Sequence, residues 1–146
     1  MNSMIRRATV NDLPEIKQLF TATIISVCNN DYDEEQRRVW CMTAQNDQRW
    51  IDAVTAQYFI IAEKENSILG FASLNKGNYI DFMYVHKDYQ RQGVANRMLA
   101  GLEAQATNQK ALMILSDISK TARPFFEKKG YVVVKEQENV REVLSL

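Results

Sequence analysis

Between Ala56 and Tyr58 the apolar pattern changes period, and that change limits the folds open to this chain. Before it, Leu13, Ile16, Leu19, Phe20 and Thr23 recur at helical spacing, which predicts one buried helix face. Asn11 or Asp12 caps that helix in this reading, and Pro14 fits its first turn. Asp33 followed by Gln36 has the form of a capping box ahead of a second helical face with Val39 and Trp40. Asn46 or Asp47 opens a third helix ending near Ala56. After the change, "YFIIAE" (58–63), "ILGFASL" (68–74) and "YIDFMYV" (79–85) are aromatic and β-branched, joined by polar turns at 64–67 and 76–78. Strands on connections this short pair antiparallel. A helical first third followed by a meander predicts a sheet with helices packed against it.

A strand at Met4–Ala8 precedes the helices. Beyond the meander come a helix over Gly93–Ala106, a strand "ALMILSD" (111–117) and a helix "TARPFFEKKG" (121–130) with Gly130 at its C′ position. Two strands follow, "YVVVKEQ" (131–137) and "REVLS" (141–145). With no repeat or linker in 146 residues, this predicts one α/β (α+β) domain over 1–146, with a mixed, mostly antiparallel central sheet. Eighteen basic residues balance eighteen acidic ones, so nothing suggests a nucleic-acid or anionic-membrane partner. Cys28 and Cys41 fit no metal-ligand spacing, and no metal is expected. No signal peptide and no apolar run near eighteen residues are apparent, so a cytoplasmic protein is expected.

One stretch carries chemistry. In "YVHKDYQRQGVANRML" (84–99) a strand passes through a basic turn with a single glycine and becomes a helix. Helix N-termini present unpaired N–H groups and partial positive charge, which suits phosphate. Gly93 lets an anion approach the backbone, Ala95 keeps the next turn small, and Arg91 adds charge. The motif predicts a diphosphate site, although the same pattern also serves as a plain strand-to-helix turn.

In context, "DFMYVHKDYQRQGVANRML" resembles the Q/R-x-x-G-x-G/A acyl-CoA signature of the GNAT superfamily of N-acetyltransferases. "SKTARPFFEKKGY" resembles that family's last helix-to-strand segment, and the element order matches over nearly the whole chain. "YDEEQRRVW" adds a likeness to a bacterial branch of small-molecule-type members. The resemblance implies acetyl-CoA as co-substrate and an amine acceptor that attacks the thioester directly. It implies that the strand residues Met83, Tyr84 and Val85 line the cofactor, with the Met83 and Val85 backbone facing the pantetheine arm and an N–H near Val85 donating to the oxyanion. The amides of Arg91, Gln92, Gly93, Val94, Ala95 and Asn96 would cradle the pyrophosphate, and Ser119 and Phe126 would lie against the cofactor. Phe126 stands where many relatives carry the tyrosine that protonates the leaving thiolate. Tyr32, Tyr79, Tyr84 and Tyr131 are the candidates to replace it.

For proton removal, Asp81 is a carboxylate on an otherwise apolar strand and shares a face with Tyr79 by the two-residue period. Tyr79 fills the position where some relatives carry a base, and His86 directly follows the strand. Tyr79, Asp81 and His86 are therefore the catalytic candidates, while Asp117 reads as a cap at a strand end. The expected activity is N-acetylation of a small-molecule amine or a peptide N-terminus, by a monomer or homodimer. The missing tyrosine supports an alternative, a non-catalytic acyl-CoA-binding or regulatory module.

Overall fold

The computed structural model describes residues 3–27, 33–119, 122–136 and 141–145. A short strand β1 (Met4–Arg7) leads through a 3-10 turn into helix α1 (Leu13–Val27), followed by α2 (Glu34–Cys41) and α3 (Asp47–Ala56). The meander is β2 (Tyr58–Lys64), β3 (Ser67–Asn75) and β4 (Tyr79–Val85). Helix α4 (Val94–Asn108), β5 (Leu115–Ser119), α5 (Arg123–Lys128), β6 (Val132–Glu136) and β7 (Arg141–Ser145) complete the order. One sheet runs β1-β2-β3-β4-β5-β7-β6. Every neighbouring pair in it is antiparallel except β4 with β5. The expected α/β sheet with flanking helices is the observed one.

Local signals account for most boundaries. Asp33 and Gln36 form the reciprocal capping box, with Gln36 N–H donating to Asp33 Oδ1 at 2.7 Å and Asp33 N–H to Gln36 Oε1 at 3.1 Å. Asn46 Oδ1 accepts the Arg49 amide at 3.2 Å and starts α3. At the end of α5, Gly130 takes φ +94°. Gly130 N–H reaches Glu127 O and Tyr131 N–H reaches Phe126 O, both at 3.1 Å, a Schellman closure.

Three expectations change. Asp12 does not cap α1: it accepts from the Thr9 amide at 2.8 Å and from Arg6 at 2.9 and 3.0 Å, so it ties the entry turn to β1. The run "ALMILSD" is not strand throughout. Leu112 is 99% exposed, and the strand begins only at Leu115, whose amide donates to Asn78 O at 2.9 Å. Asp117 consequently lies in the middle of β5 rather than at its end.

The Arg6 pairing carries a pH signature. Its guanidinium holds the Asp12 carboxyl below the ordinary carboxylate range. A depressed folded-state value stabilises above the unfolded value of about 4, and that contribution is lost as pH falls through the folded value. Asp12→Asn should therefore cost roughly 1 kcal/mol or less at pH 7, and the gap to wild type should close as the medium is acidified. Urea unfolding of both proteins at neutral pH and near pH 3 checks the sign.

The sheet buries both faces. Helices α1 and α3 cover β2–β4 with an aromatic core, in which fully buried Trp50 stacks on Phe82 at 4.7 Å and meets the Phe20 edge at 5.1 Å. The other face holds Ile60, Leu69, Leu74 and Ile80 against Met98, Leu99 and Leu102 of α4. Gly70 admits α4 closely: a Cβ there would meet Tyr84 O at 2.8 Å and Met98 Cε at 2.9 Å. Among the described residues no helix is long and apolar enough to cross a membrane.

Candidate active site

β4 and β5 pair only through Tyr79↔Leu115 and Ile80↔Ser116, although β4 continues to Val85 and β5 to Ser119. The two strands run on unpaired, so the sheet splits at its centre. Ser116 Oγ donates to Ile80 O at 2.9 Å and pins the closed end. His86 N–H donates to Leu69 O at 2.7 Å, so antiparallel alternation turns the Phe82 and Tyr84 backbone groups towards β3. Those of Met83 and Val85 then point into the split. Val85 O is occupied there by Gln90 Nε2 at 2.6 Å and by Thr23 Oγ1 at 3.4 Å.

The strand carries a feature that strict alternation does not foresee. Ser73 pairs with Phe82 and Leu74 with Ile80, leaving Asp81 as the extra residue of a β-bulge. Its carboxylate turns to α3. Arg49 Nη1 and Nη2 donate to it at 3.1 and 2.9 Å, and Gln57 Nε2 adds a third bond at 2.7 Å. Arg49 also lies over the Phe82 ring at 4.9 Å. Asp81 is 10% exposed, and its hydrogen bond raises the Arg49 guanidinium further above its ordinary value. Nothing in the sequence pattern pointed to Arg49 or Gln57, because they reach Asp81 from α3 and from the residue just after it, whose packing only the tertiary structure decides.

At the open end, Gly93 adopts φ +87°, ψ 0° immediately before α4, and Arg91 also has positive φ, +60°. No side chain caps the first amides of α4, and a Cβ on Gly93 would meet open space. Uncapped N–H groups that face open space are what a phosphate requires. Arg97 is not free to join them, since its guanidinium hydrogen-bonds to Ser3 Oγ.

The remaining candidates separate. Tyr79 and Asp117 meet at the closed end, where the phenol donates to Asp117 Oδ2 at 2.7 Å. His86 lies about 16 Å along the strand from Asp81. Its Nδ1 accepts the Asp88 amide at 3.0 Å and so caps the turn after β4. Tyr84 stacks on Phe71 at 5.3 Å and meets Phe20 at 5.0 Å. Tyr131 is buried and donates to Glu103 at 3.1 Å, and burial beside that carboxylate pushes its phenol well above its ordinary value. Phe126 is 1% exposed and packs edge-on against Tyr131 at 5.2 Å, as a core residue of α5. Tyr32 and the Ser119 side chain lie outside the described residues.

The burial of Phe126 makes a prediction. Phe126→Tyr adds a hydroxyl inside an apolar cluster, where an unpaired group costs about 1–3 kcal/mol. We expect a lower melting temperature and no gain in turnover, read by thermal melts and a thiol-release assay.

Comparison with known proteins gives the family and the fold. Residues 28–146 match a family model described as an acetyltransferase (GNAT) domain. The uncharacterized N-acetyltransferase YafP of Escherichia coli K12 is 28% identical over 136 residues, 93% of this chain and 85% of its own length. A crystal structure of a GCN5-related N-acetyltransferase ("Aminotransferase, Class-II") from Rhodopseudomonas palustris superposes with a TM-score of 0.94 at 28% identity, covering 99% of this chain and 95% of that one. The PaiA N-acetyltransferase of Thermoplasma acidophilum, solved with coenzyme A, shares the fold with a TM-score of 0.88 at 15% identity, covering 99% and 98%.

Proposed function

The chain belongs to the GNAT acetyltransferases, and from that premise we propose that it moves the acetyl group of acetyl-CoA to a primary amine of a small molecule or a peptide N-terminus. One observation carries the reading: a split sheet whose free β4 edge leads from the closed end at Ile80 to an uncapped glycine turn. From Val85 back to Ile80 the strand covers about 16 Å, which suits a pantetheine arm lying extended between a pyrophosphate and the reacting carbonyl. The coenzyme A bound by the PaiA relative supports the same assignment.

In this reading the amides of Arg91–Asn96 hold the pyrophosphate, with Gly93 leaving room for it. The Met83 backbone and the Val85 N–H hydrogen-bond the pantetheine arm beside Tyr84, and a β4 N–H steadies the tetrahedral oxyanion. Bound acetyl-CoA supplies the activated thioester. The amine nitrogen attacks its carbonyl carbon, the C–S bond breaks, and the thiolate takes up a proton. No side-chain nucleophile is needed. Ser119 and Phe126 remain proposed neighbours of the cofactor, Phe126 from within the core. Asp81, Tyr79 and His86 are the proposed proton-handling groups. Of these, Asp81 and Tyr79 are near the closed end, and His86 is at the phosphate end. We also read the enzyme as cytoplasmic, working as a monomer or homodimer.

The test is an acetylation screen of small amines and short peptides with acetyl-CoA, followed by thiol release and by mass spectrometry of products. A product heavier by one acetyl group is expected. A protein that is stabilised by CoA yet acetylates nothing would instead favour a non-catalytic acyl-CoA-binding module.

A further inference from the structure

We infer that His86 is a positioning residue for the cofactor turn and that it holds the turn only while its imidazole is neutral, so that acid loosens the grip on acetyl-CoA. The inference rests on the transferase reading above and gives His86 a role at the cofactor end, acting through the turn.

The connection between β4 and α4 needs holding. Arg91 and Gly93 both take positive φ, +60° and +87°, and a residue with a Cβ enters that region at a cost. Short-range contacts stitch the approach to it. Gln90 Nε2 reaches back to Val85 O at 2.6 Å, Gln92 Nε2 donates to Asp88 O at 3.4 Å, and the Asp88 amide donates to His86 Nδ1 at 3.0 Å. The Tyr89 amide closes on His86 O at 2.9 Å. Asp88 therefore links the histidine ring to Gln92, the residue before Gly93. The amides from Arg91 to Asn96 are the ones proposed above to hold the pyrophosphate.

The ring itself is placed from outside the turn. The His86 amide donates to Leu69 O of β3 at 2.7 Å, and the ring meets Tyr89 edge-on at 5.5 Å. It also walls a groove shared with Glu15 and Gln18 of α1. A backbone N–H donates and does not accept, so the Asp88 amide on Nδ1 means that Nδ1 is bare and Nε2 carries the hydrogen. A second proton, taken from solvent, goes to Nδ1 and sets two N–H groups face to face. The cap is then lost. Asp88 Oδ2, 3.9 Å from Nδ1, is the acceptor at hand, so the carboxylate is drawn towards the ring and the chain leading to Gln92 moves with it. The charged groups around the ring are Lys87 and Asp88 on its own turn and Glu15 across the groove. Glu15 is occupied by the Ile68 amide at 2.8 Å. Histidine is the side chain that changes charge between about pH 5 and 8. Proton and cofactor favour different states of one turn, so each weakens the other by the same factor.

The chain has one histidine, so protein made without a histidine tag shows a single imidazole in nitrogen-15 NMR. The probe is dephospho-CoA, which keeps the pyrophosphate and lacks the phosphate monoester that titrates in the same range. Calorimetric titrations in about 0.15 M salt screen charges beyond roughly 8 Å. We expect Nδ1 to be unprotonated near pH 8, and affinity to be about fivefold weaker near pH 5.5, the size of one capping bond. Dephospho-CoA added near pH 6 should move the ring towards its neutral form. His86→Asn puts an oxygen acceptor where Nδ1 stood and does not titrate. It should bind within about twofold of wild type near pH 8 and keep that affinity in acid. His86→Ala should show the weaker affinity at both pH values. Wild-type affinity that is flat with pH, or that rises in acid because the imidazolium attracts the pyrophosphate, overturns the inference and leaves the transferase reading intact. An equal acid loss in His86→Asn does the same. If wild type binds neither dephospho-CoA nor acetyl-CoA near pH 8, the cofactor reading falls and this inference with it. His86→Asn retains the cap and decides the matter even if His86→Ala does not fold.

Discussion

Gly93→Asp should give a folded protein that no longer holds coenzyme A. The added Cβ meets nothing, so no neighbour has to move. The backbone at φ +87° is the left-handed region, which aspartate enters more readily than most residues, at a cost of roughly 1 kcal/mol. The carboxylate, however, would stand in front of the first α4 amides and accept their hydrogen bonds itself. It places negative charge where the pyrophosphate needs donors. We expect CoA affinity to fall by about 100-fold or more, near 3 kcal/mol, with only a few degrees lost in melting temperature. Gly93→Asn has nearly the same shape without the charge and should fall between this variant and wild type. Calorimetric titration with CoA, beside thermal melts, reads both effects. A folded Gly93→Asp protein with wild-type affinity would remove the glycine turn from the cofactor site.

The largest stability effect at the site should come from Arg49→Met. Its guanidinium is the bidentate partner of a carboxylate that is 10% exposed. Removal leaves Asp81 with the Gln57 amide as donor in place of the ion pair. Breaking a buried pair from one side costs about 3–5 kcal/mol. Arg49 itself is 38% exposed, so water reaches it and the figure falls to about 2–3 kcal/mol. Replacing both partners, as Arg49→Met with Asp81→Leu, should recover most of the loss, since the unpaired charge goes with the pair. Denaturant unfolding of the two single variants and the double variant forms the cycle. Additive losses would mean that the pair contributes no coupling and that Gln57 and the bulge hold Asp81 without it.

Much of this molecule was legible from short-range pattern. The capping box at Asp33 and Gln36, the Asn46 cap, the Gly130 closure and the three-strand meander each depend on chemistry within a few residues, and each appears where the sequence puts it. The glycine turn before α4 was legible for the same reason. Asp12 was misread within a local turn, but the rest of what the sequence did not show depends on distant partners. "ALM" at 111–113 is apolar, yet a strand needs a partner edge, and β4 offers one only from Leu115 onward. The motif position of Phe126 likewise did not show that its ring is buried, which the packing of α5 against the rest of its core decided.

The sequence by itself determined the element order, most of the helix ends and the glycine turn before α4, because those free energies are set by backbone dihedrals and neighbours three or four residues away. Only the tertiary structure decided that one of the two carboxylates meets a guanidinium and the other a phenol. Asp81 and Asp117 look alike on the page: each is an aspartate in an apolar strand. A bulge turned one of them to Arg49 and Gln57, and a parallel strand pairing that stops after two residue pairs set the other beside Tyr79. Those partners are 24 to 38 positions away in the chain, and electrostatic roles follow distance in space rather than distance along the sequence.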